Sequence, residues 1–188
     1  MAISRDAKAN REYWDRESDD YQAAHGRRLA AEPMSWGVWR IPEARLKVLG
    51  RVAGKDVLEL GCGGAEWSIA LAGAGARPVG LDNSKVQLAH ARRNMAAAGV
   101  EFPLVHSSAE HVSLPDASFD LIFADHGAPS FADPRRVVAE CARLLRSRGR
   151  FVFCMSTPFR DLCWNERTER LTKTMQQSYF ELGRWEGE

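Results

Sequence analysis

No run in the 188-residue chain comes near the ~20 consecutive apolar residues that a membrane-spanning helix requires. The first ten residues are polar and lack the apolar core of a secretory leader. Neither sign of charge dominates. With 26 Lys and Arg against 25 Asp and Glu, the net charge is +1, which leaves no basic footprint for nucleic acid or an anionic membrane. The run Arg146, Arg148, Arg150 is locally basic and reads as a solvated loop closing a helix, where cations suit the dipole. Cysteine is sparse as well: Cys62, Cys141, Cys154 and Cys163 form no C-x-x-C pair, and no histidine sits near them at zinc spacing. No metal site is expected from that pattern, and the thiols read as small core residues. Together these absences make a soluble cytoplasmic enzyme the default expectation, with no nucleic-acid or membrane partner.

Two phosphate-binding loops are missing too. There is no G-K-[ST], and the dinucleotide pattern G-x-G-x-x-G fails at its third glycine, where Glu66 stands. A carboxylate at the start of the following helix would repel a pyrophosphate seated on the helix's positive end.

What is present is a regular alternation. An aromatic N-terminal segment, 1–42, carries Tyr13, Trp14, Tyr21, Trp36 and Trp39 among charges. It reads as a helix over 6–22, then an ordered loop over 25–40 suited to be a lid. Pro42 suits the first turn of a helix running to about Val52. Five short apolar runs come next, at 56–60, 78–81, 102–106, 120–124 and 150–155, separated by helical stretches near 65–72, 84–99 and 134–145. Strands alternating with helices imply an α/β fold with parallel pairing through right-handed crossovers. Runs without alternation, such as Leu121-Ile122-Phe123, fit strands covered on both faces. Pro103 consigns the third strand to an edge. A core over 43–156 and a helical C-terminal extension over 157–188, with a helix at 165–178, complete the expected organisation.

Ligands of such sheets sit beyond the carboxyl ends of the strands. There the sequence places Glu59, Gly61, Cys62, Gly63 and Gly64 after the first strand, Asp82 and Asn83 after the second, and Ser107, Ser108, Ala109 and Glu110 after the third. Asp125 and His126 come after the fourth. The glycines let the backbone turn tightly and approach a ligand. Asp82 lies 21 residues beyond Gly61, a spacing from which an acidic side chain reaches the hydroxyls of a ribose.

Val57-Leu58-Glu59-Leu60-Gly61-Cys62-Gly63-Gly64 resembles the first motif of class I methyltransferases that use S-adenosylmethionine (SAM). Val79-Gly80-Leu81-Asp82-Asn83-Ser84 resembles the second. Ser107-Ser108-Ala109-Glu110 and Leu114-Pro115-Asp116-Ala117-Ser118-Phe119-Asp120 resemble the third and the lead into the fourth strand. The resemblance runs from about Asp56 to Met155. It implies a Rossmann-like doubly wound sheet, strand order 3-2-1-4-5, with SAM as cofactor. It also implies Gly61 and Gly63 along the methionine, Glu59 near its ammonium, and Asp82 on the ribose. Cys62, Asn83 and Asp125 fall among the same cofactor-binding positions. Ala109 would hold the adenine through its N–H. The family often has an acidic residue where Ser108 stands, so Ser108 or Glu110 would have to take the adenine amino group.

The expected reaction is methyl transfer to a small-molecule acceptor, with His126 the best-placed general base and His25 the second. Tyr21, Trp36 and Trp39 suit a lid or core packing equally. The alternative reading is a SAM-binding protein without turnover. A nicotinamide oxidoreductase is a third, weakened by Glu66. The resemblance also implies seven strands, whereas 156–188 offers no further pair of apolar strand runs. Five strands are therefore expected, in a sheet truncated at its C-terminal end. Its fifth strand would be an edge open to self-association.

Overall fold

A computed structural model describes residues 3–181. The chain divides into two compact units, Met1–Met155 and Ser156–Glu188. The first contains the long helix α1 (Arg5–Ala31) and a small antiparallel pair, β1 (Ser35–Trp36) and β2 (Ile41–Pro42). After the short helix α2 (Glu43–Leu46) come β3 (Asp56–Leu60), α3 (Glu66–Gly73), β4 (Arg77–Asp82), α4 (Lys85–Ala98) and β5 (Leu104–His106). β6 (Phe119–Asp125), α5 (Pro134–Leu144) and β7 (Leu145–Cys154) close it. Five strands pair in the order β5-β4-β3-β6-β7, every ladder parallel. This is the Rossmann-like arrangement that the resemblance implies.

The strands are apolar on both faces because helices cover both. On one face Val57, Leu121 and Phe123 pack with Trp36, Trp67 and Leu71. On the other, Leu58, Leu60 and Ile122 pack with Val137 and Leu144. The parity comes from the two-residue period of a strand. Glu59 shares the face of Val57, so its carboxylate falls against α3 rather than into the larger apolar cluster.

Several expected boundaries shift. The first helix runs nine residues past 22, because its continuation is rich in Ala, Arg and Leu and tolerates Gly26. His25 therefore lies on a helix, and the loop shrinks to about 32–40. The helix expected to reach Val52 stops at Leu46, where Lys47 turns left-handed at φ 57. β5 starts at Leu104 rather than Phe102. Pro103 has no N–H to give the ladder, though its carbonyl accepts from Gly80 N at 3.0 Å. The basic run falls inside β7, but Leu145 pairs with Phe119 and Arg150 with Leu121, so Arg146 and Arg148 lie in the irregularity between them. Arg146 pairs there with Asp56 at 2.7 Å and Asp120 at 3.0 Å. β7 ends the five-stranded order.

The second unit has a short helix, α6 (Pro158–Leu162), capped by Thr157. The helix expected at 165–178 is instead a hairpin of β8 (Trp164–Asn165) and β9 (Arg170–Leu171). Asn165 Oδ1 accepts from Thr168 N at 3.0 Å, a local bond that competes with helix formation. Trp185 and the rest of the last seven residues lie outside the described residues.

One buried polar knot fixes the segment before the sheet. Glu43 accepts from Trp36 Nε1 at 2.7 Å and from Leu49 N at 2.8 Å, all three residues buried. Glu43→Leu strands both donors, at about 1–3 kcal/mol each. Denaturant unfolding should show that loss; a change below about 0.5 kcal/mol, the range of an ordinary surface substitution, would mean that water replaces the bonds.

Candidate active site

The glycine loop after β3 is built by backbone hydrogen bonds. Gly61 N and Cys62 N both donate to Leu81 O, at 2.8 and 2.9 Å. Gly63 N donates to Asp82 Oδ2 at 2.9 Å, and Ser84 N to Asp82 Oδ1 at 2.8 Å. Asp82 thereby joins the loop to the start of α4, where Ser84 Oγ caps Val86 and Gln87. Gly61 is required twice over: its φ is +74, and a Cβ there would stand 2.7 Å from Ala128 N. Gly127, which belongs to none of the motifs, is packed as tightly, since a Cβ on it would collide with Leu60 O. A glycine just past the fourth strand was the available signal.

A cavity of about 400 Å³ opens at the carboxyl ends of the strands. Of the residues expected to bind a ligand, Glu59, Gly61, Cys62, Gly63, Asp82, Asn83, Ser108, Ala109, Asp125 and His126 all line it. Glu110 does not. It is buried at the far end of α1, accepting from Ser4 N at 2.7 Å, from Ser4 Oγ, and from Asp133 N at 2.9 Å. Glu110 thus joins the caps of α1 and α5, which removes it as a substitute for Ser108. Ser108 itself accepts from Glu110 N at 3.2 Å. Asn83 reaches the cavity but its amide is engaged by α1, accepting from Arg11 Nε at 2.8 Å and donating to Ala7 O at 2.7 Å. Trp36 is core, beside Trp67, and does not line the cavity; Trp39 is 85% exposed. Tyr21 does line it, with Trp14 and Phe131.

Two buried carboxylates set the electrostatics. Glu59 is pushed up to about 8 by burial, against the pull of its hydrogen bonds from Ser68 Oγ (2.5 Å) and Ser68 N (3.1 Å). Burial also raises Asp82, opposed by backbone donors from Ser84, Gly63 and Asn83. Glu66, at the start of α3, is raised by burial as well. Arg28 and Arg40 bring positive charge to the same cavity. The buried Nε of Arg40 has no hydrogen-bond partner, although Glu32 Oε2 lies 3.5 Å away.

The fold and this cavity define a Rossmann-like domain with a ligand site at the carboxyl ends of its strands. Residues 58–153 match the family described as "Methyltransferase domain", and the chain belongs to it. It is 37% identical over 123 residues to a demethylmenaquinone methyltransferase of Clavibacter sepedonicus, covering 64% of this chain and 49% of that one. It is 37% identical over 103 residues to a ubiquinone biosynthesis O-methyltransferase of Aromatoleum aromaticum, covering 54% and 44%. The chain thus spans about half the length of these relatives. Among solved structures, a SAM-dependent methyltransferase from Mesorhizobium loti superposes with a TM-score of 0.55 at 28% identity, covering 63% of this chain and 55% of that one. A Methanococcus maripaludis protein, with a TM-score of 0.56 at 22% identity, covers 81% and 65% and shows the fold alone.

The family's cofactor is SAM, and the cavity suits it. Acidic groups at Glu59 and Asp82 suit an ammonium and ribose hydroxyls. The Nε–H of Arg40, which donates no hydrogen bond although the guanidinium is ion-paired with Glu32, suits a carboxylate.

Burial of Glu59 has a stability consequence. Its folded pKa of about 8 lies above the ordinary 4.5, so the folded chain holds a proton that the unfolded chain has lost between those values. Stability should fall as pH rises through that window, with a slope of up to about 1.4 kcal/mol per pH unit from this group, and the fall should level off above it. Denaturant midpoints of wild type and Glu59→Gln across the window measure this. Parallel pH profiles for the two would show that Glu59 ionises freely in the folded chain.

Proposed function

We propose that the chain transfers the methyl group of SAM to a small-molecule acceptor. The observation that carries this reading is one cavity lined both by the polar groups Glu59, the glycine loop and Asp82 and by Trp14, Tyr21, Phe131 and His126. The named relatives act in quinone biosynthesis, which supports a flat, largely apolar acceptor such as a phenol or quinol precursor. The aromatic walls agree with such a ligand.

In the proposed assignment, Glu59 faces the ammonium of SAM and Arg40 the carboxylate. Asp82 accepts from Gly63 N and Ser84 N and receives the ribose hydroxyls on its remaining lone pairs. Ala109 N–H and Ser108 border the adenine. When bound, SAM would supply a methyl carbon on positive sulfur as the electrophile for the acceptor's lone pair. The chain's task is then alignment and exclusion of water. A hydroxyl acceptor must also lose its proton, and His126 takes it.

Asp82→Ala should weaken SAM binding by about 2–3 kcal/mol, the scale for hydrogen bonds to a charged group. Calorimetry giving wild-type affinity would remove Asp82 from the cofactor site.

His126→Ala should lower turnover about 10²–10⁴-fold while leaving SAM affinity near wild type. The assay follows labelled methyl transfer from SAM to a panel of catechols and quinols. Turnover unchanged in the variant would return His126 to a packing role. SAM binding without transfer to any acceptor would favour a binding protein without turnover.

A further inference from the structure

His126, which lines the cavity, stands against Asp125 and Cys154, and the methyl-transfer reading gives Cys154 no role. Asp125 and Cys154 are register partners on the β6–β7 ladder, and His126 N donates to Cys154 O at 2.9 Å. A carboxylate oxygen of Asp125, a ring nitrogen of His126 and the sulfur of Cys154 all lie within 4.8 Å of one another. His126 holds its place in the left-handed region, at φ 51, a conformation that costs a non-glycine residue free energy and that tends to persist at functional sites. Gly37, at φ +64, closes over the group. A Cβ on Gly37 would stand 3.1 Å from Cys154 Sγ and 3.6 Å from His126 Nε2. The sulfur and the imidazole nitrogen therefore both lie beside Gly37, whose positive φ favours glycine. Gly37 N also donates to Asp125 Oδ1 at 2.8 Å, orienting the carboxylate as supporting hydrogen bonds do around metal ligands.

We infer that Asp125, His126 and Cys154 form a binding site for one zinc ion in the wall of the methyl-transfer cavity. A sulfur, a nitrogen and an oxygen donor match zinc, whereas magnesium and calcium take oxygen ligands. On binding, the thiol loses its proton to solvent as sulfur bonds to the metal; imidazole and carboxylate each supply a lone pair. Three protein ligands leave a fourth position for water or an acceptor oxygen, the pattern of reactive rather than purely structural zinc sites. The inference goes beyond the methyltransferase reading; with the ion bound, the His126 lone pair is held by the metal, so the base role assigned above belongs to the metal-free chain.

The test uses the full chain, stripped with chelator, then titrated with Zn²⁺ and with Co²⁺ as a spectroscopic substitute. One ion per chain is expected, with a near-ultraviolet thiolate-to-cobalt band. Cys154→Ser should abolish the band. Asp125→Asn and His126→Ala should each weaken binding at least about 10–100-fold, the loss typical of residues that merely support a metal ligand. A variant-free measurement covers the case of misfolding: one equivalent of Zn²⁺ should slow alkylation of Cys154, read by peptide mass spectrometry, and leave Cys163 unprotected. Failure to hold one ion, a cobalt band that survives Cys154→Ser, or unprotected Cys154 would each overturn the site. SAM affinity, measured on the same samples, shows whether the methyltransferase reading stands regardless.

Discussion

Two backbone N–H groups, from Gly63 and Ser84, converge on the carboxylate of Asp82, and the rest of the cavity depends on that convergence. Gly63 belongs to the loop leaving β3, and Ser84 to the cap of α4. Bridging them holds the loop open in one shape and seats α4 at the end of its strand. Leu81 O, the preceding carbonyl, takes both Gly61 N and Cys62 N. The loop and the helix cap are thus pinned to two neighbouring residues at the end of β4. Burying a carboxylate costs free energy unless hydrogen bonds offset it, and here the donors that offset it are the loop's own backbone.

The N-terminal helix is attached through the same region. Asp15 accepts from Ser84 Oγ at 2.8 Å, Asn83 bonds Arg11 and Ala7, and Gln22 donates to Gln87 at 2.9 Å. Glu110 anchors its first turn through Ser4. The helix is polar along most of its length and buries few side chains, Ala7 and Ser18 among them. Side-chain hydrogen bonds therefore contribute much of its docking, where a typical surface helix relies on an apolar stripe. Each such bond contributes only about 1 kcal/mol net, so the wall carrying Trp14 and Tyr21 is the part of the cavity most easily loosened.

Charge inside the cavity is arranged asymmetrically. Glu59, Glu66, Asp82 and Asp125 all have their pKa values raised by burial, so the site resists ionising fully while empty of a cation. A ligand carrying positive charge relieves that cost, and one carrying phosphates would add to it. The sulfonium and ammonium of SAM fit this field better than a dinucleotide does, which agrees with the exclusion drawn from Glu66.

Local pattern in the chain was enough to specify the alternation of strands and helices, their parallel pairing, the glycine loop and the acidic residue at its set distance. Each of these is written in hydrophobic runs, caps and turns whose partners stand a few residues apart. Most of the candidate site was legible for that reason, because it is made of the residues just past each strand end. The misreadings came where distant partners decide. Glu110 stood after the third strand as a ligand residue should, yet Ser4 and Asp133, far away in the chain, turn it into a brace. Arg146 falls inside β7, where it pairs with Asp56 and Asp120. Asp125, His126 and Cys154 showed no ligand spacing, since His126 and Cys154 are 28 residues apart and meet only through the register of β6 on β7. Tertiary structure alone decided those juxtapositions, because a ladder can bring together residues at any sequence separation, and no local pattern records which ones.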